Sequence, residues 1–309
     1  MSDFSVVICT YNPVQHIFSK CLDSILEAAK ICKPSEIIII DNNSNNRFDQ
    51  EEYFRDFIEV SNAKLINESK QGLTPARLRG IASSSSDVLV FVDDDNILRA
   101  DFFEKGIKIA EKHPHIGAWS GQVKLVFEEK PPAWTKQYWG LLVHREFSVD
   151  KWSNLPLLDE TMPCGAGLFV RMQVASLYRQ LHLEGKRTIQ LDRTATSLLS
   201  GGDNDLAGCA CDLGLGVGLF KDIVVDHFIP SKRLKLDYLL NLASGIWASS
   251  VIFKSYRGEL PQRISLKRKL VNILRFLFMK RRERAFYIAT LKGQKQGKQI
   301  LRACLKNKG

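Results

Sequence analysis

The chain has 309 residues, 45% of them hydrophobic and 25% charged, which suits a folded α/β protein with a sizeable core and excludes a disordered chain. Its net charge of +10 is uneven: from Pro261 onward there are 15 Lys or Arg and a single acid, Glu283, so the first 260 residues carry about −4 and the basicity belongs to a tail. Seven cysteines, an odd number set mostly in apolar runs, together with no secretory leader and no apolar run near the roughly 20 residues that cross a bilayer, predict a reduced, cytoplasmic protein that does not span a membrane.

The first half alternates strands and helices. Phe4 to Thr10 is an apolar, β-branched strand bounded by Asn12-Pro13, a helix-start signal for a helix over about 14–31. Glu36 to Ile40 is a continuous apolar run, as expected of a strand covered on both faces, and it stops at the turn formers Asp41-Asn42-Asn43-Ser44. A helix over about 50–60, a short strand over 63–67 and a helix opening at Thr74-Pro75 follow. Next comes the buried strand Val88 to Val92, which ends in Asp93-Asp94-Asp95, and then a helix over about 100–112.

This alternation predicts a doubly wound, mostly parallel sheet, which binds ligands at the carboxyl ends of its strands. Thr10, Asp41 and Asp93 to Asp95 all fall at such ends and so share one rim. From about 121 to 159 the pattern breaks, and Pro131-Pro132, Trp134, Tyr138, Trp139 and Trp152 among charges predict a long loop or lid with an aromatic face. The tryptophans there could stack on a sugar or anchor the loop on the core. A second ordered block spans 165–226, and a helical, increasingly basic region begins near 232.

Four groups could carry chemistry. Three adjacent carboxylates repel one another and are stabilised by a cation, and hard ions such as Mg²⁺ or Mn²⁺ take one or two carboxylates plus phosphate oxygens. Arg77 and Arg79 lie in the first turns of a helix, where the macrodipole disfavours a cation, so an anionic ligand is expected nearby. Asp203 and Asp205, after Gly201-Gly202, suit either a helix N-cap or a general base. His227, after an apolar strand, is either structural or a further metal ligand.

The segments Val7-Ile8-Cys9-Thr10-Tyr11-Asn12, Ile38 to Ser44, Gly72-Leu73-Thr74-Pro75-Ala76-Arg77, Phe91 to Asp95, Gly165 to Val170 and Gly202-Asp203-Asn204-Asp205-Leu206 together resemble the family 2 glycosyltransferases of GT-A fold. The likeness covers residues 4 to 233. It implies a catalytic domain over 1–231, with a Rossmann-like nucleotide-sugar half over about 1–120 and an acceptor-side half over 121–231. A helical basic region over 232–309 would follow.

The resemblance also implies roles. Thr10, Tyr11, Asn12 and Asp41 would hold base and ribose, and Arg77 the base or diphosphate. Asp93 and Asp94 would contact the sugar nucleotide, while Asp95 would ligate Mn²⁺ or Mg²⁺ with His227 as a further ligand. Asp203 would be the general base of an inverting transfer from a nucleotide-sugar, UDP favoured. The family has Glu where this chain has Gly202, which leaves Asp205 open as the base.

In the tail, Leu266, Leu270, Ile273, Leu274 and Leu277 fall on one helical face among dense Lys and Arg, the pattern of a membrane-surface element. That suits a lipid-linked or polysaccharide acceptor and a peripheral place on the inner face of the membrane. A helix packed on the domain or an oligomer contact is the competing reading. No nucleic-acid motif accompanies the charge. Two other functions compete with transfer. A sugar-1-phosphate nucleotidyltransferase would need a glycine-rich phosphate loop, which Cys9 to Pro13 lacks. A catalytically silent scaffold has Gly202 as its support.

Overall fold

The computed structural model describes residues 3–157, 159–192, 199–259 and 265–306, without the side chains of 266, 267, 269, 270, 305 and 306. Its first half reads β1 (Phe4–Thr10), α1 (Gln15–Ile31), β2 (Glu36–Asp41), α2 (Glu52–Ser61), β3 (Lys64–Asn67), α3 (Leu73–Ser83), β4 (Val88–Asp93), β5 (Asn96–Leu98) and α4 (Phe102–Lys112). The second half reads β6 (Ile116–Phe127), β7 (Lys151–Ser153), β8 (Leu168–Arg171), α5 (Met172–Leu183), α6 (Gly202–Asp212) and β9 (Gly216–Ile229), followed by α7 (Leu236–Tyr256), α8 (Leu266–Phe278) and α9 (Arg281–Lys306). A 3-10 helix covers Ala133–Leu142.

The strands form one sheet in the order β3-β2-β1-β4-β8-β6-β9-β5, with β7 on β9. β1 to β4 run parallel to one another, and β8 enters antiparallel between β4 and β6. The side chains of β1, β2 and β4 divide strictly by period two. Val6, Ile8, Ile37, Ile39, Val88, Val90 and Val92 pack beneath α1, α2 and α4 with Phe18, Phe54 and Phe103. Val7, Ile38, Ile40, Leu89 and Phe91 pack on the other face with Ala76, Val174 and Leu206 of α3, α5 and α6. A strand covered on both faces has no polar side to show, which is why these runs are apolar without interruption.

From β1 the chain steps outward to β2 and β3, and then returns to place β4 on the other side of β1. Strand order therefore reverses between β1 and β4, and the crevice at their carboxyl ends is the expected ligand site of such a sheet.

Two expectations are corrected. The break expected near 121 is instead the middle of β6, which bulges at Ser120/Gln122 and continues to Phe127 along β9. Gly121 is required at that bulge, because a side chain there would collide with the Ile223 backbone. Among the described residues one helix is long and apolar enough to cross a bilayer: α7 has 21 residues and a mean hydropathy of 1.3. Leu239, Leu242, Ala248 and Ile252 of α7 are spent on the protein's own core.

The basic tail divides in two. α9 lies against α7 so closely that side chains at Gly293 and Gly297 would strike the Ser244 and Ala248 carbonyl oxygens. Phe286 of α9 stacks on Tyr138 with ring centroids 3.6 Å apart. Trp134 lies beneath the Arg282 guanidinium, and Trp139 packs on Phe127 and donates its ring N–H to Thr135. These aromatics anchor the 133–142 segment on the core and on α9. By contrast, Ile273, Leu274, Leu277 and Phe278 of α8 are exposed, Phe278 at 87%. The side chains of Leu266 and Leu270, expected on the same face, lie outside the described residues.

Candidate active site

Strand register assembles the rim. Thr10 is paired with Asp41 across β1 and β2, and Cys9 with Asp93 across β1 and β4. Beyond Asp93 the chain turns tightly into β5, whose Asn96 pairs with His227 of β9. That pairing sets His227 beside Asp95: imidazole Nε2 is 3.4 Å from Asp95 Oδ2, and the Phe228 N–H donates to the Asp95 carbonyl.

The His227 ring is oriented by its partners. Nδ1 is 3.1 Å from the Leu142 carbonyl oxygen, which can only accept, so Nδ1 carries a proton and Nε2 is the nitrogen that faces Asp95. Sequence reasoning missed the third member of this cluster, Arg233. Its Nη1 is 2.9 Å from Asp95 Oδ2 and 3.3 Å from His227 Nε2.

Asp94 accepts a 2.5 Å hydrogen bond from the Thr10 hydroxyl. Burial, and then the charge of Asp95, push the Asp94 carboxyl up to about 7 even so. Burial and Asp95 raise the Asp93 carboxyl as well. A cation in addition to Arg77 and Arg233 would lower both carboxyls again.

The donor set suits such a cation in part. No cluster of three His, Cys, Asp or Glu side chains suited to a metal occurs among the described residues. Asp95 Oδ2 and His227 Nε2 nevertheless make a two-donor edge. Neighbouring ligands of an octahedral Mg²⁺ lie roughly 3 Å apart, close to the 3.4 Å seen here. Diphosphate oxygens and water would complete the shell, and the Arg233 guanidinium would have to withdraw. With that condition the residues fit the ion.

At the other end of the site, Arg77 is 3% exposed and its Nη1 lies 3.0 Å from Asp192 Oδ1 and 3.1 Å from Oδ2. Asp192 also accepts from the Thr74 hydroxyl. The anion that the position of Arg77 demanded is therefore supplied in part by the chain, while Arg79 is exposed. Asp203, in the first turn of α6, accepts from the Gly165 N–H at 2.7 Å through Oδ2 and from the Asn204 N–H through Oδ1. Asp205 does a different job. It is buried between Arg187 and Arg257, each 2.9 Å from one of its oxygens, and does not border the cavity.

One cavity of about 350 Å³ is lined by Thr10, Tyr11, Arg77, Asp93, Asp94, Asp95, Asp203 and His227 of the expected residues. Asn42, Gly72, Asp192 and Arg233 join them. Besides Asp205, two expected residues stand outside this lining. Asn12, at φ 48°, ties the β1 and β2 loops together by receiving from Asn45 N–H and donating its own N–H to Ser44. Asp41 accepts from Ser44 N–H and holds the turn. The neighbour Asn42 reaches the cavity instead. Its amide bonds the Glu68 and Lys70 carbonyls and accepts from Gly72 N–H, bracing the entry to α3. The turn-forming composition of 41–44 was the only hint of Asn42, and nothing local marked Asp192 or Arg233.

A doubly wound sheet with an acidic turn at its switch point and a cavity joining that turn to a carboxylate on a following helix defines an α/β protein of the class that binds ligands at the carboxyl ends of its strands. Residues 5–184 match the model of Glycosyl transferase family 2, more than half of the chain, and the protein belongs to that family. Glycosyltransferase GlyA of Streptococcus pneumoniae is 31% identical over 101 residues, covering 32% of this chain and 14% of GlyA. Glycosyltransferase AglE of Haloferax volcanii is 31% identical over 109 residues, covering 33% of this chain and 34% of AglE. The chain thus spans only a seventh to a third of these relatives.

Among solved structures, residues 1–349 of S. aureus TarS superpose with a TM-score of 0.53 at 15% identity, over 96% of this chain and 80% of that one. GalNAc-T7 with UDP, GalNAc and Mn²⁺ superposes at 0.55 and 13%, over 83% and 50%. These likenesses establish the GT-A fold.

Proposed function

We propose that the chain is an inverting glycosyltransferase, moving a hexosyl or N-acetylhexosaminyl group from a nucleotide-sugar to an acceptor hydroxyl. The observation that carries the reading is the single cavity bordered by Asp95, His227 and Arg233 at one place and by Asp203 at another. Asp203 is the base. Backbone N–H groups hold both of its oxygens, and each oxygen keeps a further lone pair to take the acceptor proton. The attacking oxygen then approaches the anomeric carbon from the face opposite the departing diphosphate.

Asp95 and His227 would hold Mn²⁺ or Mg²⁺, which supplies positive charge to the leaving diphosphate. With the ion held there, Arg233 would turn from Asp95 to the same phosphates as a fork of donors. Thr10, Asp93 and Asp94 border the donor pocket, with Tyr11, 43% exposed, at its mouth to stack on the base. GalNAc-T7, of like fold, binds UDP and Mn²⁺, which supports a UDP-sugar donor.

The exposed apolar stripe of α8 among Arg268, Arg275, Lys280, Arg281 and Arg282 supports docking on an anionic lipid surface, and with it a lipid-linked or polysaccharide acceptor at the cytoplasmic leaflet. A thermal-shift panel of UDP-, GDP- and dTDP-sugars with Mn²⁺ tests the reading. One nucleotide class should stabilise the protein, and stabilisation by none would sink it.

A further inference from the structure

Gly202 opens α6 next to the proposed base, at the position where the resembled family carries Glu. The structure gives a physical reason for the glycine. A Cβ built on Gly202 would fall within 3.0 Å of Cγ and both carboxylate oxygens of Asp192. The volume that a side chain at 202 would enter already holds a carboxylate, delivered from a different loop. That carboxylate is 4% exposed, and its partners are Arg77 Nη1 and the Thr74 hydroxyl.

Arg77 in turn lies against Gly165, where an added Cβ would be 2.9 Å from Arg77 Nη2 and 3.3 Å from Asp203 Oδ2. The same Gly165 donates its N–H to Asp203. Asp192, Arg77, Gly165 and Asp203 are thus packed in sequence, and a buried guanidinium at their centre demands an anion within reach.

We propose that Asp192 and Gly202 form one exchanged unit: Asp192 is the positioning carboxylate of the active site, standing in for a side chain that α6 does not supply. Its task is to neutralise Arg77 and hold the first turn of α6, and through Gly165 the Asp203 carboxylate, in register. It does not touch the reacting atoms. This rests on the proposed role of Asp203 for its catalytic meaning, but its geometry stands apart from that role.

The test is a double-mutant cycle on the full chain with Asp192→Ala, Gly202→Glu and the combination, with Asp192→Asn as an isosteric control. Asp192→Ala leaves Arg77 buried and unpaired, so its melting temperature should fall by on the order of 10 °C. Gly202→Glu alone forces two carboxylates into one space and should also destabilise. The combination returns one carboxylate to one space, and should melt above both single variants. Additive or worse melting in the combination overturns the exchange.

With the nucleotide-sugar selected by the thermal-shift panel, Asp192→Asn should lower kcat by about 100-fold while KM changes little, as a misplaced base does. The combination should recover kcat. An unchanged kcat in Asp192→Asn makes the residue merely structural and overturns the positioning role. If no nucleotide-sugar binds at all, the transferase reading fails, and the melting cycle still decides the exchange.

Discussion

Arg233 Nη1 stands 2.9 Å from Asp95 Oδ2 and 3.3 Å from His227 Nε2, the place a divalent ion would occupy between those two donors. The tethered cation engages the Asp95 carboxylate, and the free ion proposed for this site would have to compete with it.

Removing that competitor separates metal binding from nucleotide binding. Arg233→Met should bind Mn²⁺ alone more tightly than the parent, because Asp95 is no longer engaged by the guanidinium. The same variant should lose about 10- to 100-fold in affinity for UDP with Mn²⁺, the worth of a charge-assisted hydrogen bond of about 1.5–3 kcal/mol. Calorimetric titrations with each ligand check both signs. Weaker binding of Mn²⁺ alone would count against the competition.

The two aspartates of α6 should fail in different ways. Asp203→Asn keeps one of the two backbone N–H bonds, since its NH2 group cannot accept the other, and it cannot take a proton, so kcat should fall by about 10²- to 10⁴-fold with little change in nucleotide binding and only a small drop in melting. Asp205→Asn leaves Arg187 and Arg257 with no carboxylate between them, at a cost of about 3–5 kcal/mol, and should show first as a lowered melting temperature. Steady-state kinetics and thermal melts on both variants separate these outcomes.

Glu36, at the start of β2, gives an acid-side stability signature. Burial acts to raise its carboxyl, but hydrogen bonds from the Ser85 N–H, the Ser5 hydroxyl and Lys64 outweigh that and hold it below its usual 4.5. Its stabilising contribution is therefore fully present above about 4.5 and lost as pH falls below that value. Glu36→Gln should flatten the stability-pH curve in that window and leave it parallel to the parent above pH 5. Denaturant titrations at stepped pH values make the comparison.

On α8, Leu274→Glu with Leu277→Glu should leave the melting temperature in place, since both side chains are more than half exposed. Binding to vesicles containing phosphatidylglycerol should drop more than tenfold, at about 1.5–3 kcal/mol for each buried side chain lost. Parent protein should bind neutral vesicles weakly and leave anionic ones as salt rises. Equal sedimentation of parent and variant with anionic vesicles would remove the membrane reading of α8.

Local patterns sufficed wherever a residue's task is set by its own neighbours. Period-two burial makes β1, β2 and β4 uninterrupted apolar runs. Strand ends made Thr10 and Asp93 to Asp95 visible as a rim, because parallel strands of similar length must bring their carboxyl ends together. The basic character of α8 and α9 was equally plain. Their division was not: Phe286 meets Tyr138 and Gly293 meets Ser244 only after the chain has folded back, so a helix packed along one face and an unpacked one carry similar sequences.

What the sequence by itself determined is the strand–helix alternation of the first half and the carboxylates at its strand ends, since strand periodicity and turn chemistry act over a few residues, whereas the strand order that makes a switch point of them came with the tertiary structure. The tertiary structure alone decided which charges meet. Asp192 reaches Arg77 across 115 residues, and Arg233 reaches Asp95 through the pairing of β5 with β9. Those contacts exchange a large desolvation cost for a partner, and a partner brought from so far along the chain leaves no local periodicity to read. The same long-range packing separated Asp203, open to the cavity, from Asp205, enclosed by two arginines only two residues away.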